Sequence, residues 1–219
     1  NFALPAVDSP EKLEIDPVKL GLAREGKKGS FKLFESHQKL GFPEYLVRSG
    51  FKFDNRSTFF LHDVKDYQDR KASYPVIDIT LDNLEDYMVV SREAFDDEPE
   101  MTEGYINMEV EFLKGIRKSA IKDLTLKLYA ICENGRASAI GALFYSREKN
   151  FGYLHDGGTL RIARGKGHQT NLIRHRVNTC LDLGITRIYV TADHGNQSWH
   201  NCIKNGFNQI QVVHEFIEK

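Results

Sequence analysis

Gly157-Gly158-Thr159-Leu160-Arg161-Ile162-Ala163-Arg164-Gly165-Lys166-Gly167-His168-Gln169-Thr170 is the stretch whose reading decides the fold. An apolar, strand-forming segment at 151–160 leads into it. A helical pattern follows, with Leu172, Ile173, Val177, Cys180 and Leu181 on one face. At the handover stand two glycines and two cations, Arg164-Gly165-Lys166-Gly167. Glycine lets a backbone turn tightly and expose its amides, and the first amides of a helix have no internal acceptor. A loop of this kind holds an anion, most naturally a pyrophosphate.

Outward from the loop, 219 residues suffice for one large domain, or one ordinary domain with a smaller companion. Lys and Arg together number 30 against 31 Asp and Glu, and basic residues cluster only between 161 and 176. That balance argues against nucleic acid as a partner. No apolar run approaches membrane-spanning length and no secretory leader is seen, so no membrane partner and a cytoplasmic setting are expected. Cys132, Cys180 and Cys202 are odd in number and widely spaced, as reduced core thiols are. His155, His168, His194 and His200 lack a metal-ligand spacing, so no metal is expected.

In chain order, Ser9-Pro10-Glu11 opens a short helix and 23–30 reads as a loop. A strand at 31–34, a helix at 42–48 and a strand resuming at 58–61 come next, before a polar linker at 67–73. The second region begins with a strand at 76–80 and a helix running to about Ala94, with Leu84, Met88 and Val89 on its apolar face. A helix over 101–119 carries Ile106, Val110, Leu113 and Ile116. Between these helices, Asp96-Asp97-Glu98-Pro99-Glu100 is a solvated loop or a substrate-facing lid. Strands at 125–132 and 137–145 flank Asn134-Gly135, the strongest short-range hairpin signal. Beyond the glycine loop, a helix ends at Gly184, a strand spans 187–192, a helix 198–205 and a last strand 207–217. From 74 onward the order β, α, α, β, β, β, α, β, α, β gives a mixed sheet with helices packed on it.

With loop and element order in place, residues 74–219 resemble the GNAT (GCN5-related N-acetyltransferase) superfamily. Its phosphate loop reads Gln/Arg-x-x-Gly-x-Gly/Ala at a helix start. Arg164-Gly165-Lys166-Gly167-His168-Gln169 matches it at Arg164 and Gly167 and departs at Gln169, as in a subgroup with Gln there. A second block, Gly195-Asn196-Gln197-Ser198 followed by Asn201, Lys204 and Gly206-Phe207, is similar to that subgroup's next turn and helix. The resemblance implies the GNAT fold, an α/β (α+β) architecture whose mixed, mostly antiparallel sheet has helices on both faces. It also implies acetyl-CoA (coenzyme A) as co-substrate. By position, Gly158, Thr159 and Leu160 would take the pantetheine arm. Arg164, Gly165, Lys166, Gly167, His168, Gln169 and Thr170 would take the pyrophosphate, and Arg174 or Arg176 the ribose phosphate. Asn196 or Asn201 would add a polar contact, and His168 and His194 would meet either phosphate or solvent.

Acetyl transfer to an amine needs a base for the amine proton and a donor for the oxyanion. Asp156 and His155 interrupt an apolar strand and, by the strand period, lie on opposite faces; Asp156 is the first candidate base and His155 the second. The family's acidic Tyr falls near Cys202 and Ile203, so Cys202 is either the proton donor or a buried thiol. Tyr153 and Tyr189 are neighbouring phenols, expected to serve packing. The resemblance implies an acetyl-CoA-dependent N-acetyltransferase acting by direct attack in a ternary complex, on a small-molecule or peptide amine. A non-catalytic acyl-CoA sensor and a transferase for a longer acyl group or a hydroxyl acceptor stay open, as does a homodimer.

The first 73 residues carry an echo. Phe34-Glu35-Ser36-His37 aligns with Tyr189-Val190-Thr191-Ala192, and Leu46-Val47-Arg48-Ser49-Gly50-Phe51 with Cys202-Ile203-Lys204-Asn205-Gly206-Phe207. Residues 1–73 therefore look like the C-terminal half of a second GNAT module, with Gly26-Lys27-Lys28-Gly29 a weak imitation of a phosphate loop, and 74–219 like a complete one.

Overall fold

A computed structural model describes residues 4–16, 29–62, 64, 73–96, 99–117 and 119–219. The loop expected at 23–30 (but for its last two residues), the linker at 67–73 (but for Ser73) and the centre of the acidic stretch, 97–98, lie outside the described residues.

After a 3₁₀ turn at Pro10–Lys12 come β1 (Ser30–Phe34), α1 (Glu35–Lys39), α2 (Phe42–Arg48), β2 (Phe51–His62), β3 (Val76–Ile79) and α3 (Leu84–Ala94). Next are α4 (Pro99–Leu113), β4 (Thr125–Glu133), β5 (Arg136–Ser146), β6 (Phe151–Thr159) and a 3₁₀ turn at Arg161–Ala163. The chain closes with α5 (His168–Asp182), β7 (Ile188–Asp193), α6 (Gln197–Lys204) and β8 (Phe207–Glu218). The strands form an eight-stranded sheet in the order β1-β8-β2-β7-β6-β5-β4-β3. Among the described residues, no helix is long and apolar enough to cross a membrane.

Turn chemistry sets several boundaries. Asn134 and Gly135 both take positive φ, 52° and 77°, as a two-residue hairpin of right-handed strands requires. Gly184, at φ 75°, ends α5. Helix α4 stops at Leu113 rather than at 119, because Gly115 turns left-handed (φ 67°) and leaves Ile116 exposed. Strand β2 is longer than the expected 58–61 and starts at Phe51.

The chain divides into two compact units. The first holds residues 1–60, 191–199 and 209–219. There β1 pairs antiparallel with β8 from Ser30 opposite Ile217 to Phe34 opposite Val213. Phe31, Leu33, Phe42, Leu46, Phe51 and Phe216 form its core.

The second unit holds residues 61–190 and 200–208. Antiparallel pairs join β3 to β4, β4 to β5 and β5 to β6, and β6 runs parallel to β7 over only three pairs, Gly152–Leu154 against Ile188–Val190. On one face Leu126, Leu128, Ala130, Ile140 and Ala142 meet Tyr87 and Val90 of α3. On the other face α5 brings Thr179 and His175 against Tyr129, and Arg176 against Gly141. Helices thus cover both faces. The buried residues of α3 are Tyr87, Val90 and Ser91; of the expected Leu84, Met88 and Val89, Leu84 packs partly buried against this core, whereas Val89 is 49 % exposed.

One irregularity governs this unit. Ile140 pairs with Gly158 but Ala142 pairs with His155, so Asp156 and Gly157 stand together opposite Gly141. This is a β-bulge, and Asp156 takes the left-handed conformation, φ 46°. A bulge disrupts the ladder locally, and α5 delivers donors to strand carbonyls beside it. The buried Arg176 donates from Nη1 to Ala142 O (2.9 Å) and His155 O (3.0 Å), and from Nε to Leu172 O (3.1 Å). A Cβ on Gly141 would stand 2.8 Å from the Arg176 Cζ, so only glycine admits the guanidinium here. Two turns earlier Gln169 Nε2 meets Gly158 O (2.6 Å), Ile140 O and Thr159 Oγ1 (both 3.1 Å). Replacing Arg176 by Met keeps most of the volume but strands two buried carbonyls. Urea denaturation of Arg176→Met is expected to show a loss of about 3 kcal/mol, and of the neighbouring Arg174→Met a small fraction of that.

Candidate active site

The glycine loop joins the end of β6 to the start of α5. Gly165 and Gly167 have φ of 82° and 83°, and Gly167 is the N-cap of α5. Beyond the Cα of Gly165 lies open space. Among the described residues, the amides of 165–170 have no acceptor, whereas the next, Asn171 N–H, donates to Gly167 O (3.1 Å). Arg164 Nε donates to Thr159 O (3.3 Å), which ties the loop to the end of β6.

The side chains of the loop divide by role. Lys166 Nζ lies 2.6 Å from Glu133 Oε2, and His168 Nε2 lies 3.0 Å from Glu133 Oε1. The hydrogen bond from Lys166 holds the Glu133 carboxyl below its ordinary range. His168 is not solvent-facing: its ring is buried, edge-on to Tyr74 at 4.6 Å, so only its backbone faces the loop. Gln169 likewise turns inward, as a brace for β5 and β6. Arg176 is no candidate for a ribose phosphate, because its guanidinium is spent on backbone carbonyls; burial lowers its pKa to about 10. Arg174 is half-buried.

Asp156 and His155 are not on opposite faces. The left-handed turn at Asp156 breaks the alternation, and both side chains meet the α3–α4 side. Asp156 Oδ2 accepts from the Tyr87 hydroxyl (2.8 Å) and the Ser91 hydroxyl (3.4 Å), both on α3. The same Tyr87 oxygen lies 3.2 Å from Glu109 Oε1 of α4. Around His155 are Tyr105 (4.9 Å between ring centroids), Tyr153 (6.0 Å, stacked) and Phe144 (6.1 Å). Burial lowers the His155 pKa, which keeps the ring neutral near pH 7, and its Nε2 has no partner among the described residues.

Cys202 is buried in α6 and its thiol is pushed up to about 11 by burial. Asn201 lies beside it on the same helix, where its carbonyl accepts from Asn205. Tyr189 stands opposite Tyr153 in the β6–β7 ladder. Asn196 and His194 belong to the first unit: Asn196 Oδ1 accepts from Trp199 N–H (2.8 Å), and His194 Nδ1 lies 3.0 Å from Thr58 Oγ1.

The model of the acetyltransferase (GNAT) family matches residues 84–207, more than half of the chain. The chain belongs to the GNAT acetyltransferase family. No curated protein matches it in sequence. Among solved structures it is similar to a GCN5-related N-acetyltransferase from Kribbella flavida, at TM-score 0.62 and 14 % identity over 93 % of this chain and 73 % of that one. A GNAT-family acetyltransferase from Colwellia psychrerythraea gives 0.61 and 12 % over 93 % and 72 %. A tandem GNAT protein from the clavulanic acid biosynthesis pathway gives 0.63 and 14 % over 90 % and 66 %. These likenesses bear on the fold, a GNAT fold with a mixed sheet covered on both faces.

The GNAT family uses acetyl-CoA, and the loop of this GNAT chain fits such a coenzyme. Two left-handed glycines, open space above Gly165 and unpaired amides at the start of a 15-residue helix suit a pyrophosphate. What the sequence did not disclose is the polar set behind Asp156: Tyr87, Ser91 and Glu109. The available signal was Asp156-Gly157-Gly158 itself, since glycines inside a strand mark a bulge.

Glu109 is only 1 % exposed, and burial pushes its carboxyl from 4.5 up to about 9. An acid with a raised folded pKa contributes stability fully present below its unfolded value and lost as pH rises through the folded one. Unfolding free energy should therefore fall between about pH 4.5 and pH 9, with this residue's share of the slope approaching about 1.4 kcal/mol per pH unit. Denaturation of Glu109→Gln across that range is expected to give a flatter curve than the unsubstituted protein.

Proposed function

We propose that this GNAT protein is an acetyl-CoA-dependent N-acetyltransferase acting on an amine by direct attack within a ternary complex. The observation that carries the reading is the placement of Asp156. Its carboxylate stands on the β6 bulge, immediately before the residues proposed for the pantetheine arm, Gly158, Thr159 and Leu160, on the strand that runs into the glycine loop. Donor and base thus share one strand.

In this reading the amides of 165–170 hold the pyrophosphate and Arg174 meets the ribose phosphate. The acceptor amine forms its N–C bond to the acetyl carbon as the C–S bond breaks. The amine's proton goes to Asp156, and the departing thiolate takes a proton from solvent. A thiolate is a tolerable leaving group near neutral pH, so no dedicated acid is required. The buried Cys202 then serves packing, and His155, neutral and next in the strand, is the second candidate base. Asn201 is proposed as a polar contact to the coenzyme. The acceptor is a small-molecule or peptide amine.

Residues 1–73 are proposed as a degenerate half module. The path β1, α1, α2, β2 with left-handed Gly50 (φ 93°) repeats β7, α6, β8 with left-handed Gly206 (φ 86°). The likeness to a tandem GNAT protein over 90 % of the chain supports this reading. A coenzyme-binding sensor is the rival, supported by a buried thiol where the family places a phenol.

Calorimetry with acetyl-CoA and with CoA is expected to show binding to both, and the absence of either would refute the coenzyme assignment. Thiol release over a panel of amines should be detectable and should fall by roughly a hundredfold in Asp156→Asn, with coenzyme binding retained. Tight binding with a silent panel would favour the sensor.

A further inference from the structure

Behind Asp156 lies a chain of polar groups that a single base does not require. Tyr87 has no solvent exposure and Glu109 has 1 %, yet the Tyr87 oxygen sits 3.2 Å from Glu109 Oε1 and 2.8 Å from Asp156 Oδ2. A phenol has one proton and donates once. If both carboxyls were ionised, one would face the phenol oxygen without a donor, a buried charge left unpaired. One further proton must therefore sit on the chain. It belongs on Glu109, the more deeply buried carboxyl, since Asp156 is only half-buried.

The surroundings agree. Tyr87 of α3 lies against Glu109, Tyr87 and Ser91 hydrogen-bond Asp156 of β6, and His155 of β6 lies against Tyr105 of α4. Strands β4 and β5 present apolar side chains on this face, Leu126, Leu128, Ile140 and Ala142. Arg176 approaches from α5 but is committed to the carbonyls of Ala142 and His155. The Arg92–Glu103 pair, which bridges α3 and α4, is exposed and self-compensating. Among the described residues, no cation is placed to stabilise a Glu109 carboxylate.

We propose that Glu109 is a positioning residue: its proton sets a one-way chain, Glu109 to Tyr87 to Asp156, that keeps Asp156 an oriented carboxylate. This rests on the reading of Asp156 as the base. Glu109 O–H donates to the Tyr87 oxygen, and Tyr87 O–H then donates to Asp156 Oδ2, joined by Ser91 O–H. Asp156 Oδ1, with no partner among the described residues, is left for the acceptor's proton. Two donors on Oδ2 fix a carboxylate that sits on a left-handed residue at a bulge. Removing the Glu109 proton would let the phenol turn back toward Glu109 and release that orientation.

Two measurements test this. Infrared difference spectra between the unsubstituted protein and Glu109→Gln should show a protonated carboxyl band at pH 7 that disappears on strong alkalinisation and shifts in Tyr87→Phe. In thiol release, Glu109→Ala should lower kcat at least roughly tenfold with KM for acetyl-CoA unchanged. Glu109→Gln, whose amide N–H donates in the carboxyl's place, should restore most of that loss and remove the alkaline decline in kcat. The chain is overturned if the carboxyl band is missing at pH 7, if it ignores Tyr87→Phe, or if the Ala and Gln variants behave alike. A protein that releases no thiol with any amine defeats the transferase reading, while the infrared result still decides the chain.

Discussion

The second unit depends on a guanidinium standing where a side chain would otherwise be. Arg176 sits over Gly141 and donates to the carbonyls of Ala142 and His155, which flank the bulge in β6. A buried carbonyl that loses a donor costs about 1–3 kcal/mol, so the donors that α5 delivers help to hold the bulge. Gln169, on the same face of that helix, does the same for Gly158 and Ile140. The helix that begins at the glycine loop therefore fixes the geometry of the strand that carries Asp156.

Charge is distributed around this bulge with little redundancy. The cation lies on the α5 face, bound to backbone; the carboxyls lie on the α3–α4 face, bound to hydroxyls. Neither forms a side-chain ion pair with the other. Hydrogen bonds from Tyr87 and Ser91 thus carry the burden that a salt bridge would carry elsewhere, and they do so directionally, which a point charge cannot. The glycine loop differs in that its fixed charges are partly cancelled: Lys166 is paired with Glu133, and the free valence there is backbone amide.

Much of the fold was legible because local rules coincided with tertiary demand. Asn134-Gly135 could make a hairpin only in the conformation observed, and Gly165 and Gly167 take the left-handed conformation that glycine allows at the turn into α5. The bulge was harder to see. Strand periodicity put Asp156 and His155 on opposite faces, and a single left-handed residue undid that count. Helix periodicity holds at Leu84, which packs on the core, but from there the buried side of α3 runs through Tyr87 and Ser91 rather than Met88 and Val89. The structure prefers the polar pair because Asp156 lies beneath it. Arg176 is a related case: a basic residue on a helix is expected outside, and the missing Cβ of Gly141 makes room for it inside. Pairing across the sheet, invisible in local sequence, decided each case.

Gly141 and Arg176 also bear on how the sequence can change over time. The glycine is indispensable only while the arginine is there, and the arginine is tolerable only while the glycine is there. Either can drift alone only at a loss, so the two behave as one inherited unit: descendants should keep both, or replace both with a side chain at 141 and a shorter residue at 176. Gly157, whose missing Cβ leaves room for the Gln169 carbonyl at 2.9 Å, forms a second such couple, again between a strand glycine and a side chain of α5.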